Sequence, residues 1–196
     1  MWKTWIVLFF LGLPSEAASF PQYPVKPARE YTTAIEKSGL VVAVVPVEDR
    51  KDQRTYFGID LRSKGFIPIL LVIENRTSQE SFLLNKEDLM YSPSGRSGSA
   101  LPNPAHPSRA DKAVAIVGAV PMYAFVATIA AARSKDLRQH LLRTELQSAT
   151  LSPGVSVHGF IFVREQGGYS SRQKIQLTLP FRRSGSDEVV IIDPTI

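Results

Sequence analysis

Residues 113–132, AVAIVGAVPMYAFVATIAAA, run for twenty positions without a charge and are bracketed by Lys112 and Arg133. A stretch this apolar on all sides must be covered by lipid, by its own domain or by another protein, so it constrains the rest of the chain most. It is just long enough to span a bilayer, and its seven Val, Ile and Phe residues supply roughly 2 to 4 kcal/mol toward insertion. Against that, Pro121 near the centre costs about 3 kcal/mol in a helix interior. The flanking charges favour a span, because Arg133, Lys135, Arg138 and Arg143 follow the run whereas only Arg109 and Lys112 shortly precede it. Strand content decides the other way. A single crossing would part residues 41–92 from residues 155–181, and neither set has enough strands to bury its apolar face alone.

Those strands are read from hydrophobic pattern. LVVAVVPVE at 40–48 is β-branched, with Pro46 suited to a strand end or edge. FIPILLVI at 66–73 is apolar at nearly every position, which predicts a central strand covered on both faces. Turn residues NRTSQE then precede two shorter strands, SFLL and DLMYS. In VSVHGFIFV, Val155, Val157, Gly159, Ile161 and Val163 share one face, with Phe160 and Phe162 on the other. In KIQLTLPF the apolar face is Ile175, Leu177, Leu179 and Phe181. Gly167 and Gly168 between these two runs predict a hairpin loop over residues 165–171, and EVVII offers a last strand. Pro153-Gly154 fits the centre of a type II turn.

Between the two groups of strands, residues 92–112 are rich in Ser, Gly and Pro and predict a long connection. After the apolar run, Leu137, Leu141, Leu142 and Leu146 form one helical stripe, with Arg138, Gln139 and Arg143 facing elsewhere. The fold expected is mainly β, an antiparallel sandwich built from both halves of the chain around an α-helical insertion.

The amino terminus has the form of an export signal: Lys3 precedes an apolar run at 4–13, Pro14 breaks it, and Ser15 and Ala17 suit cleavage after Ala17. Removing residues 1–17 takes away Lys3 and Glu16 and leaves the net charge at +5. The division that follows is a signal peptide at 1–17 and a proline-rich extended spacer or arm at 18–38. The first half of the sandwich with its loop covers 39–112, the helical insertion 113–149 and the second half 150–196. The expected location is exported, periplasmic or extracellular, with membrane association left open beside attachment to an envelope protein.

GFIPILLVIENRTSQESFLLNKEDL and LSPGVSVHGFIFV resemble a loose class of exported bacterial proteins of uncharacterised function, many of them lipoproteins. These have an immunoglobulin-like β-sandwich interrupted by a small-residue helical insert. The likeness covers about residues 39–182 and rests on structural motifs. It implies an envelope location and an immunoglobulin-like sandwich, and no catalytic residues. The chain departs from the lipoprotein members because it has no cysteine.

The absence of cysteine also excludes disulfides, thiolate metal sites and cysteine nucleophiles. His106, His140 and His158 fall in a proline-rich loop, a helix and a strand, none with a second ligand nearby in sequence. GRSGSA lacks the Gly-x-Ser-x-Gly spacing of a nucleophile elbow, and no glycine-rich phosphate loop occurs. No cofactor or metal is expected, and nothing positive supports an enzyme. Asn75-Arg76-Thr77 matches an N-glycosylation sequon that a turn also explains.

The reading that remains is an exported, non-enzymatic envelope module attached through its insertion to a membrane surface or to a partner protein. Ala115, Ala119, Ala127 and Ala131 permit close helix approach, while Met122, Tyr123, Phe125, Val126 and Ile129 supply the bulk for membrane or partner contact. Arg133, Lys135, Arg138 and Arg143 are the candidates for an anionic surface. Nucleic acid is not expected as a partner, since these charges are interrupted by Asp136 and Glu145 and have no aromatic platform. Two alternatives stay open: an envelope hydrolase or ligand-binding protein with its site near residues 92–112, and an integral membrane protein with 113–132 as a true span.

Overall fold

The computed structural model describes residues 20–93, 135–164 and 175–195. Within them the chain is mainly β, arranged as two antiparallel sheets. The first sheet has the order β1 (Ile35–Lys37), β2 (Leu40–Pro46), β3 (Phe66–Asn75), β7 (Ser156–Arg164). The second is built on β8 (Ile175–Arg183), which pairs with β4 (Phe82–Leu84), β5 (Met90–Pro93) and β9 (Val189–Ile192), while β6 (Ala149–Leu151) extends it beyond β4. β4 and β5 share one edge of β8 and β9 takes the other: Phe181 faces both Leu84 and Val190, and Gln176 faces both Ser92 and Thr195.

The pairings join the early and late parts of the chain. β3 is bonded along its length to β7, from Phe66 opposite Arg164 to Glu74 opposite Ser156. β4 and β5 both lie against β8. The insertion and its flanks thus leave and re-enter one pair of sheets.

Side-chain alternation in β3 shows why its sequence is apolar throughout. Ile67, Ile69, Leu71 and Ile73 point into a core between the sheets, with Leu40, Val42 and Val44 of β2 beside them. Across that core stand Phe82, Leu84, Leu151, Leu177, Leu179, Phe181 and Ile192 of the second sheet. Leu70 and Val72 point the opposite way into a second cluster, with Val41, Ala43, Phe160 and Phe162. The first sheet is therefore buried on both faces, as the continuous run requires.

The expected hairpin over residues 165–171 is corrected. β7 and β8 belong to different sheets, so residues 165–174 connect the sheets instead of closing a two-stranded ribbon. Residues 165–174 themselves lie outside the described residues. The physical reason the two strands do not pair is that Val157, Ile161 and Val163 face Ile175, Leu177 and Leu179 across the core. Strands that bury their apolar faces against each other cannot also lie side by side. Pro153-Gly154 does form a turn, closed by the Val155 amide donating to the Ser152 carbonyl at 3.0 Å, with Gly154 at φ 75°.

Candidate functional site

A third layer covers the outer face of the first sheet, and it gathers the charged residues of interest. Its first member is α1 (Arg50–Phe57), which the hydrophobic pattern does not reveal. Asp49 caps its start, one carboxylate oxygen accepting from the amides of Lys51 at 2.7 Å and Asp52 at 2.9 Å. Those two amides hold the Asp49 carboxyl below the usual carboxylate range. Phe57 is fully buried, edge-on to Phe160 at 4.8 Å and to Phe162 at 6.0 Å. Gln53, also fully buried, donates to the Val47 carbonyl at 2.7 Å and accepts from the Arg62 amide at 2.8 Å. It thereby ties both chain ends flanking the helix to one side chain. Asp60 accepts from the Ser63 amide and pairs with Arg54 at 3.3 Å and Arg50 at 3.9 Å, which together lower its carboxyl pKa.

The second member is α2 (Lys135–Thr144), the first described element after the insertion. Leu137 and Leu141 are buried in the outer cluster, and Leu146 beyond the helix end reaches the inter-sheet core. Leu142, expected on the same stripe, is 38% exposed. Lys135, Arg138 and Arg143 are exposed on the far side, as their spacing predicts. His140 is bonded through Nε2 to the Tyr56 carbonyl at 2.6 Å and stacked on Phe20 at 4.3 Å, so it joins α2 to α1 and to the arm. His158 is exposed on β7.

Residues 20–31 form the third member. Instead of a free spacer they are a docked arm, with Phe20, Tyr23, Val25, Ala28 and Tyr31 packed on the outer cluster. Proline at 21, 24 and 27 keeps the backbone extended, and Pro27 has φ −52° and ψ 142°. Tyr23 lies edge-on to Tyr56 at 4.9 Å and to Phe160 at 5.3 Å, and burial pushes its phenol pKa up. The Ala28 amide donates to Glu74 of β3 at 2.7 Å.

Three structural contacts escape sequence reading. Glu145 is buried and paired with Lys86 at 2.8 Å, joining the segment before β5 to the segment after α2. There the chain passes from the outer layer to the second sheet, running parallel to β7 with the Leu146 amide donating to the Phe160 carbonyl at 2.9 Å. Gly159 makes room for this passage. A Cβ on it would lie 2.6 Å from the Leu146 amide nitrogen and nearer still to the Leu146 Cα. Asn75 is 1% exposed and donates to the carbonyls of Glu80 and Leu151, while its oxygen accepts from the amide and hydroxyl of Thr77. Its amide is fully engaged, so the sequon is closed to a glycan in the folded protein.

Met122, Tyr123, Phe125, Val126, Ile129, Arg133, His106 and residues 1–17, where a signal peptide is expected, lie outside the described residues. Among the described residues no helix is long and apolar enough to cross a membrane, and no group of three His, Asp or Glu residues could hold a metal ion. The arrangement is an aromatic-cored layer with Lys51, Lys64, Lys135, Arg138 and Arg143 exposed around it. No known family model, curated protein or solved structure matches the chain.

Proposed function

We propose that the chain is an exported envelope module, an immunoglobulin-like sandwich with a helical insertion. Residues 113–132 attach it to a membrane surface or to a partner's helices, and Lys135, Arg138 and Arg143 meet the anionic side of that contact. One observation carries the reading: β3 pairs with β7, and β4 and β5 pair with β8, across the insertion. An apolar run that leaves and rejoins the same two sheets begins and ends in one compartment. Twenty residues are enough for one crossing and too few for two. That favours contact over a span. The basic residues of α2 follow directly, where they can meet headgroups at the same interface.

Deleting residues 118–132 tests the proposal. The expected result is a protein with unchanged circular dichroism and thermal unfolding that moves from the membrane fraction to the soluble one. Loss of folding on deletion would make the run a core helix and overturn the reading, as would an unchanged membrane fraction.

A further inference from the structure

Charge is divided across the layers of the molecule. The arm at 20–31, residues 49–65 and α2 together carry ten Lys and Arg against five Asp and Glu, whereas the remaining described residues carry six against ten. The outer layer is thus cationic and the rest of the described body anionic.

Pairing sharpens the division. In the body, Lys86 is neutralised by Glu145, and Arg183 by Glu80 and Glu188. In the outer layer Arg50 and Arg54 share the single carboxylate of Asp60. Lys51 and Lys64, like Lys135, Arg138 and Arg143 of α2, are exposed and make no ion pair among the described residues. The outer cluster holds α1, residues 59–61, the arm and α2 on one face of the first sheet, while the second sheet covers the other face. Glu74 and Glu48 of the body lie beside the outer layer and lower its excess. Residues 76–93, 145–151 and 175–195, which build the second sheet, carry four Lys and Arg against seven Asp and Glu. Among the described residues the two sides of the first sheet therefore carry opposite net charge, which orients the body in the field of an anionic surface.

From this division we infer that the whole outer layer is the membrane-facing side, and that Lys51 and Lys64 add to α2 in binding an anionic bilayer. The second sheet then points away from the lipid. The inference rests on the attachment proposed above and adds an orientation and two residues to it. Nothing in it requires a pocket, because a lipid surface reads summed charge within a Debye length.

The test is cosedimentation of the intact chain with phosphatidylcholine vesicles, with and without phosphatidylglycerol. Wild type is expected to bind the anionic vesicles more tightly. Each exposed basic residue at the contact contributes roughly fivefold, so Lys51→Gln with Lys64→Gln is expected to weaken binding about 25-fold. Arg76→Gln with Arg182→Gln removes the same charge from exposed positions outside the layer and is expected to bind as wild type. Equal losses in the two double variants would mean net charge alone acts, and would overturn the inference. So would an unaffected Lys51/Lys64 variant. If that variant is unaffected while deletion of 118–132 abolishes binding to both vesicles, attachment stands and the orientation falls. An intact chain that binds neither vesicle overturns both.

Discussion

Gly159→Val is expected to cost about 3 kcal/mol or more of folding stability. The glycine lies on β7 opposite Leu71, where the chain leaving α2 passes over the strand on its way to β6. Any Cβ there meets the backbone of Leu146, and backbone cannot rotate away as a side chain can. Either the Leu146 to Phe160 hydrogen bond opens or β7 shifts against β3. Overpacking a core costs about 1 to 3 kcal/mol, occasionally more, and a clash with main chain under a branched side chain belongs at or above the upper end. That is a large part of the ~5 to 15 kcal/mol that holds a domain together. Urea unfolding followed by circular dichroism reads the effect, with Gly159→Ala expected between wild type and valine. Truncation by Leu146→Ala is expected to give no rescue, because the colliding atoms are the Leu146 nitrogen and Cα. A wild-type midpoint for Gly159→Val would show that the crossover does not sit where we place it.

Asn75→Asp comes next in size. The change keeps the shape and removes both donors, so the carbonyls of Glu80 and Leu151, now at 2.7 and 2.8 Å from the amide nitrogen, would face a carboxylate oxygen. The Glu80 carbonyl keeps the Thr77 hydroxyl as a donor at 2.8 Å. The Leu151 carbonyl loses the amide, at ~1 to 3 kcal/mol, and the desolvated charge facing both carbonyls adds to that. The total expected at neutral pH is about 3 to 5 kcal/mol. Its sign with pH follows from the same contacts. The folded protein disfavours the charged form, so the carboxyl pKa in the fold lies above its unfolded value of about 3.9. The penalty is then complete above the raised pKa and shrinks as pH falls through it, because a protonated carboxyl donates to one carbonyl. Melting temperatures of variant and wild type should converge in acid. A difference that is small at neutral pH, or that widens as pH falls, would contradict the network.

Much of this fold is legible because burial writes a period into the strands. Ile175, Leu177, Leu179 and Phe181 alternate and all face the inter-sheet core, and β3 is apolar throughout because it is covered twice. α1 is hard to see for the converse reason: over Arg50–Phe57 only Gln53 and Phe57 are buried, so there is no stripe to find. Its signals are at the ends, in Asp49 as the amino-terminal cap and Gly58 in the left-handed conformation. The β1–β2 turn is likewise written in two residues, Ser38 at φ 51° and Gly39 at φ 76°, which fit the hairpin turns that need positive φ. Residues 165–174 mislead because a glycine-rich connection looks the same whether strands pair or face each other. Gly159 carries no local signal at all, since the atoms that require it belong to Leu146. For the candidate site, the exposed basic residues of α2 follow from helical spacing. The company they keep with Lys51 and Lys64 follows only from packing on one sheet.

The central claim is that the early and late strands form one body, so that residues 113–132 begin and end on the same side of any membrane. The chain has no cysteine, so Ala100→Cys and Ser170→Cys each give a single labelling site, one on either side of the run. A membrane-impermeant maleimide, applied to intact cells and then to spheroplasts, reports the compartment of each. The account predicts that both sites label under the same conditions. Labelling of one from outside and protection of the other until lysis would contradict it.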